Sequence, residues 1–428
     1  MHRLAPMQHA LPLGRAWFSH RAVSFYGDVG GCLAWTLFDA GREHIVERTR
    51  RGGKGSVMSV RSYLDHNATS PLRPEARAAM MAAMAYTGNP SSVHADGREA
   101  HAAVENARET VARVFQVKPE AVTFTSGGTE AANWLLQAWP GRKLVVSAVE
   151  HPCVLKGHRF PDEDVRVVPV LSDGVIDLEE LEKVLACPAI VAVQAANNET
   201  GVVQPLPYVA SLTKNGFVVC DAVQVVGRVP LRDLSVAGAL FFSAHKFGGP
   251  KGVGAVIWQS VEPEPAPLIR GGGQESRRRS GTENVVGIAG LAAALDAADK
   301  EQVTWKSRAE ALQLKLEQGL RVLAPDAVIF GENAERLPNT TCFAIPGKSA
   351  ETLLIAFDLE GIAISSGSAC SSGKATRSHV LAAMGVKDSL GEGVIRVSTG
   401  WNTEDADIER FLAALEKMCR GRMGRRAA

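Results

Sequence analysis

Between residues 122 and 243 the chain keeps returning to one unit: a short, nearly continuous apolar run, several times followed by a helix-forming spacer. The runs fall at 122–126, 143–149, 165–170, 190–195, 217–220 and 239–243. A half-exposed strand alternates apolar and polar residues, whereas a strand covered on both faces does not. Unbroken apolar strands joined by helical spacers therefore predict a buried, mostly parallel sheet with helices on both faces. This reading is of the α/β class. Hydrophobic residues at 46% and charged residues at 22% supply enough core for it and exclude wholesale disorder.

The flanking pattern completes the organisation. Residues 71–86 and 97–115, rich in Ala, Met, Glu and Arg, predict helices ahead of the first strand. Residues 285–323 predict one long helix, or two, leading out of the sheet unit. Beyond Pro338 a smaller α+β pattern follows: strand 341–345, helix 349–359, strand 362–365, helix 376–384, strand 394–398 and helix 403–419. The expected domains are 58–325, a large α/β unit, and 326–428, a small one that also takes in the segment near 63–85. No apolar run approaches the ~18 residues of a membrane span. A formal charge of +1 gives no electrostatic footprint for nucleic acid. The seven Cys (32, 153, 187, 220, 342, 370, 419) are odd in number and form no C-x-x-C pair, which points to reduced thiols in a cytosol-like compartment.

Residues 1–57 read differently. They carry eight basic against four acidic side chains, with no acid before Asp28. This superficially resembles an organelle transit segment, and would then imply a mitochondrial location. The alternative is an over-long reading frame, with Met58 as the working start and residues 1–57 an extension without ordered structure. The cytoplasm is the expected location on that second reading.

An α/β sheet holds ligands at the carboxyl ends of its strands. No G-x-G-x-x-G follows any strand, and the P-loop pattern fails because Cys342 stands where its first glycine belongs. Three other strand ends carry chemistry. Ser126-Gly-Gly-Thr-Glu130 joins a strand to a helix, offering close backbone approach and free N–H groups to a phosphate. Asp221 follows a strand directly, with Gln224 three residues on. Ser243-Ala-His-Lys246 follows another strand, and a lysine there, hemmed by glycines, is desolvated and suited to Schiff-base chemistry. A phosphate cradle, a strand-end acid and a strand-end lysine together describe a pyridoxal 5'-phosphate site: the acid keeps the pyridine nitrogen protonated and the lysine holds the aldehyde.

From about Tyr63 to Lys417 the chain resembles the cysteine desulfurases of the NifS/IscS type, in the class-V aminotransferase group of fold-type I pyridoxal-phosphate enzymes. The resemblance rests on Tyr63-Leu-Asp-His-Asn-Ala-Thr-Ser-Pro, Gly88-Asn-Pro-Ser-Ser-Val-His, Thr125-Ser-Gly-Gly-Thr-Glu, Glu150-His-Pro, Asn197-Asn-Glu-Thr-Gly, Asp221-Ala-Val-Gln, Ser243-Ala-His-Lys, Arg279-Ser-Gly-Thr and Ser365-Ser-Gly-Ser-Ala-Cys. It implies a large domain with a mostly parallel seven-stranded sheet and a small α+β C-terminal domain. By resemblance, Lys246 bonds the cofactor aldehyde and shuttles the Cα proton. Asp221 pairs with the pyridine nitrogen, Gln224 bonds the ring-oxygen side, and His151 stacks on the ring as acid/base. Gly128, Thr129, Ser243 and His245 contact the phosphate, and Thr282 reaches it from the partner subunit of a homodimer with shared sites. Asn198 touches cofactor and substrate, and Arg396 clamps the substrate carboxylate. Departures are few: Gly128 where relatives often have Ala, Ala244 where many have Gly, and Arg377 where Pro is common.

Six of the seven cysteines lie in apolar elements or near the N-terminus, where an inert thiol is the ordinary case. Cys370 lies in Ser365-Ser-Gly-Ser-Ala-Cys-Ser-Ser-Gly-Lys374, a polar small-residue stretch able to carry a thiolate to substrate sulfur and away again. The pattern resembles the long-loop group of these enzymes. The implied reaction takes L-cysteine to L-alanine, leaving a persulfide on Cys370 for an iron–sulfur scaffold or other acceptor. Cys370 is also expected as a transient metal ligand of a cluster on such a partner. Two rivals are weighed against this: another class-V activity, such as selenocysteine lyase or aminotransferase, and a sulfur-relay protein that lost the chemistry.

Overall fold

The computed structural model describes residues 35–39, 42–46, 61–137, 139–185, 187–214, 216–260, 264–367 and 377–420. The chain divides into two compact units, Met1–Ser59 and Val60–Ala428. In the first, strands Trp35–Asp39 and Arg42–Val46 pair antiparallel. The rest of residues 1–57 lies outside the described residues.

The second unit is built on a seven-stranded sheet. Its strands are β1 (Val122–Thr125), β2 (Lys143–Ser147), β3 (Val165–Val168), β4 (Ala189–Ala192), β5 (Phe217–Asp221), β6 (Ala239–Ser243) and β7 (Gly254–Trp258). The spatial order is β1-β7-β6-β5-β4-β2-β3. β3, β2, β4, β5 and β6 run parallel, while β7 lies antiparallel between β1 and β6. Every residue of β4 to β7 is buried, as strands covered on both faces must be. Neighbouring side chains point to opposite faces, so Phe241 and Phe242, both fully buried, enter two separate core clusters. Only the edge strand β3 leaves its middle residues exposed.

β7 is the strand that the periodic pattern omits, because its Gly-Ala-Val-Ile-Trp follows a glycine-rich stretch that reads as loop. Burial between β1 and β6 decides it. The helices hold close to expectation. α1 spans Pro74–Ala83, α2 Ala95–Phe115 and α3 Gly128–Leu135. Residues 285–323 are one helix, α4 (Val285–Leu323), capped by the Asn284 side chain accepting from Gly287 N at 3.0 Å. Ile288, Leu291 and Leu295 on its first half belong to the core beside the large sheet; Leu312, Leu316 and Leu320 belong to the core of the smaller sheet. One helix thus spans both cores, and the expected boundary at 325/326 falls just beyond its last residue.

The smaller sheet orders Val328–Ile329, Thr340–Ala344, Val394–Ser398 and Ser365–Ser366, all antiparallel. α5 (Ala350–Leu359), α6 (His379–Ala383) and α7 (Asp405–Arg420) accompany it. The expected strand 362–365 divides into Ile362–Ala363 and Ser365–Ser366. The first of these pairs in parallel with Ser62–Tyr63, which ties the N-terminal motif to this region. Residues 368–376, with Cys370, lie outside the described residues.

Candidate active site

The turns after β1, β2, β4, β5 and β6 meet at one side of the sheet and line a cavity of about 600 Å³. The phosphate-type turn closes β1. Gly127 has φ +149°, a conformation that side chains disfavour, and a Cβ on Gly128 would sit 3.1 Å from Val223 Cγ2. The first residues of α3 therefore present their backbone to the cavity. Glu130, on the opening turn of α3, accepts from Ser126 N at 2.8 Å and pairs with Arg279 at 3.0 Å; these contacts outweigh burial and hold its carboxyl below the usual range.

Asp221 ends β5, 8% exposed, and its Oδ1 accepts from Val223 N at 2.9 Å. Burial pushes it up to about 6, against that hydrogen bond and the charge of Lys246. Lys246 lies on the single helical turn after β6, its Nζ donating to Asn67 O at 2.7 Å and Ala68 O at 3.0 Å. His151 caps a short helix by accepting at Nδ1 from Cys153 N at 3.1 Å. Burial, then Lys246 and His379, lowers it to about 4. His245, whose Nδ1 lies 3.2 Å from Thr69 Oγ1, falls to about 4 through burial, then Lys246, Lys251 and Arg228. Both imidazoles are neutral near pH 7. Glu150, buried next to His151 in the chain, is pushed well above the carboxylate range by burial; its Oε1 accepts from Gln194 N at 2.8 Å while Oε2 has no partner among the described residues.

Arg396, on the strand Val394–Ser398, reaches the cavity from the small sheet. Its Nη2 donates to Asp65 at 2.8 Å and its Nη1 to Asn198 O at 3.0 Å, while Nε is buried without a described partner. The cavity brings together Gly128, Thr129, His151, Asn198, Asp221, Gln224, Ser243, His245, Lys246 and Arg396. Thr282 is apart from them: exposed, between Arg279 and the start of α4. Cys370 lies outside the described residues, and with it the expectation of a metal ligand there.

The donor set suits a flat, aromatic, phosphorylated aldehyde. A backbone cradle, a strand-end carboxyl and a half-buried amine around one cavity would hold pyridoxal phosphate. Cys153 also lines the cavity, but burial, then Asp221 and Glu150, pushes its thiol far up; burial does the same to Cys342 and Cys220. None of the three is a ready thiolate. Sequence reasoning missed the assignment of Asn67, Ala68 and Thr69, which line the cavity from the Tyr63–Pro71 motif, and Lys251 beside the lysine turn. The motif's presence was a signal, though its contact with Lys246 spans 179 residues.

Comparison with known proteins agrees with this geometry. Residues 62–411 match the aminotransferase class-V family. The chain is 41% identical over 374 residues to a cysteine desulfurase of Cereibacter sphaeroides, covering 83% of this chain and 95% of that protein. It is 37% identical over 375 residues to the cysteine desulfurase IscS of Dictyoglomus turgidum, covering 84% and 95%. Among solved structures, a NifS-like protein superposes with a TM-score of 0.76 at 36% identity, covering 84% of this chain and 99% of that one. The NifS-like protein of Rickettsia africae gives 0.77 at 33% identity, covering the same shares.

Proposed function

The chain belongs to the class-V aminotransferase family, and on that premise we propose that it is a pyridoxal-phosphate-dependent cysteine desulfurase converting L-cysteine to L-alanine. The observation that carries this reading is the meeting of Lys246, Asp221, Gln224 and the Gly127–Gly128 turn around one cavity. The relatives named cysteine desulfurase support it.

Pyridoxal phosphate, when bound, supplies an electron sink for the pair released at the substrate Cα. Gly128, Thr129, Ser243 and His245 would hold its phosphate, Asp221 its pyridine nitrogen and Gln224 its ring oxygen, with His151 against the ring. Lys246 Nζ would hold the aldehyde, and its free amine would be the base that removes the substrate Cα proton and returns it. Arg396, already turned toward the cavity, offers its planar fork to the substrate carboxylate beside Asn198. The Cys370 thiolate attacks the substrate Sγ; the S–S bond forms as Cβ–Sγ breaks. Cβ then takes up a proton and alanine leaves. The sulfur remains as a persulfide on Cys370 and passes to an acceptor thiol or to an iron–sulfur scaffold protein. Thr282 would complete the phosphate site of a second copy in a homodimer, and the cytoplasm is the proposed location.

Incubating the purified protein with L-cysteine and a thiol reductant tests the reading. Equimolar alanine and sulfide, without any keto acid, are expected. Alanine or another amino acid formed only when a keto acid is consumed would instead identify an aminotransferase.

A further inference from the structure

Arg228 is 3% exposed, behind the cavity wall. Gly227, with φ +72°, turns the chain so that the guanidinium lies back under the turn that follows β5. Its Nη1 donates to Gln224 Oε1 and to Asn67 Oδ1, each at 2.8 Å, and more weakly to Gln224 O at 3.4 Å. Its Nη2 donates to His66 O and Lys246 O, each at 3.0 Å. All five described acceptors are neutral oxygens. A buried cation is ordinarily paired with a carboxylate. Arg228 is bonded instead to three elements of the candidate site.

The chemistry of the donors fixes an orientation. An arginine has five N–H donors and no acceptor, so the Gln224 amide can face it only with its oxygen. The Gln224 nitrogen then points the other way. One of its hydrogens goes to Asn67 O at 3.2 Å, the same carbonyl that Lys246 Nζ reaches at 2.7 Å. The second hydrogen is left for the cavity that Gln224 lines. The acceptor on pyridoxal phosphate nearest the aldehyde carbon, and so nearest Lys246, is the ring oxygen.

We propose that Arg228 is a positioning residue that locks Gln224 as a hydrogen-bond donor to the cofactor's ring oxygen and ties that donor to the backbone of Lys246. The proposal rests on the reading of the cavity as a pyridoxal-phosphate site. Burial, and then the charge of Arg396, lowers the Arg228 guanidinium to about 9, as expected of a cation held without a counter-charge.

The test titrates pyridoxal phosphate into cofactor-stripped wild type, Arg228→Lys, Gln224→Ala and the double variant, with circular dichroism confirming the fold. Lysine keeps the charge and loses the fork. Arg228→Lys is expected to weaken binding roughly tenfold in the native background and less than about twofold where Gln224 is already Ala. Equal weakening in both backgrounds, or none in either, would overturn the proposal. Gln224→Glu decides the matter even if Arg228→Lys fails to fold. A carboxylate facing the lone guanidinium should raise the Tm of the cofactor-free protein while weakening cofactor binding, since Glu has no N–H to offer. A lowered Tm, or wild-type binding, would also overturn it. Failure of wild type itself to bind pyridoxal phosphate would instead overturn the reading of the cavity, and this proposal with it.

Discussion

The Ser378 hydroxyl donates to Glu199 Oε2 at 2.5 Å, joining the turn beyond β4 to the first turn of α6, which Ser378 caps by accepting from Leu381 N at 3.1 Å. A Cβ on Gly367 would lie 3.1 Å from the same carboxyl oxygen. One buried carboxyl thus bonds one described flank of the segment that carries Cys370 and lies close to the other. Burial pushes Glu199 up to about 7, against the Ser378 bond and the charge of Arg396.

That shift sets a pH dependence. A carboxyl whose folded pKa is raised binds its proton more tightly when folded, so its contribution is fully present below pH ~4.5 and is lost as pH rises through 7. Wild type should therefore lose on the order of 3 kcal/mol relative to Glu199→Gln between those limits. Urea unfolding of both cofactor-free proteins across that range measures it, and a difference that stays flat with pH would refute it.

Replacing Cys370 by Ala should abolish sulfide and persulfide formation while leaving the cofactor bound. Added cysteine should still shift the cofactor's absorbance, because the proposed reading gives substrate exchange and proton removal to Lys246. Replacing Lys246 by Ala should abolish the band of covalently held cofactor. Alanine release from cysteine at the wild-type rate by Cys370→Ala would place the nucleophile elsewhere, though the raised thiols of Cys153 and Cys342 make both poor substitutes.

Arg396→Lys preserves a charge facing Asp65 but removes the planar fork. The KM for L-cysteine should rise about tenfold or more, with pyridoxal-phosphate affinity unchanged. Steady-state kinetics alongside a cofactor titration separates the two. A variant that lost cofactor affinity at unchanged KM would show that Arg396 supports the cofactor and not the substrate.

A chain beginning at Met58 should fold with the Tm of the full chain and elute in the same oligomeric state, because Met1–Ser59 is a compact unit distinct from Val60–Ala428. Size-exclusion chromatography and thermal unfolding of both forms decide this. Aggregation of the shortened chain would mean that the first unit contributes to folding.

The residues themselves determined what depends on neighbours along the chain. Short, nearly unbroken apolar runs read as strands covered on both faces, which made six of the seven sheet strands legible, the half-exposed edge strand β3 among them, and placed Asp221 and Lys246 at or just after strand ends, where ligands bind. Tertiary structure alone decided the rest. The antiparallel β7 is set by the two strands that it fills between. Arg228 reads in the sequence as one more basic residue after a glycine; its role comes from bonds to Asn67 and His66, 161 and 162 residues away. Glu199 and Ser378 meet across 179 residues. Buried polar groups must find partners wherever packing puts them, and no local periodicity encodes which partner that is.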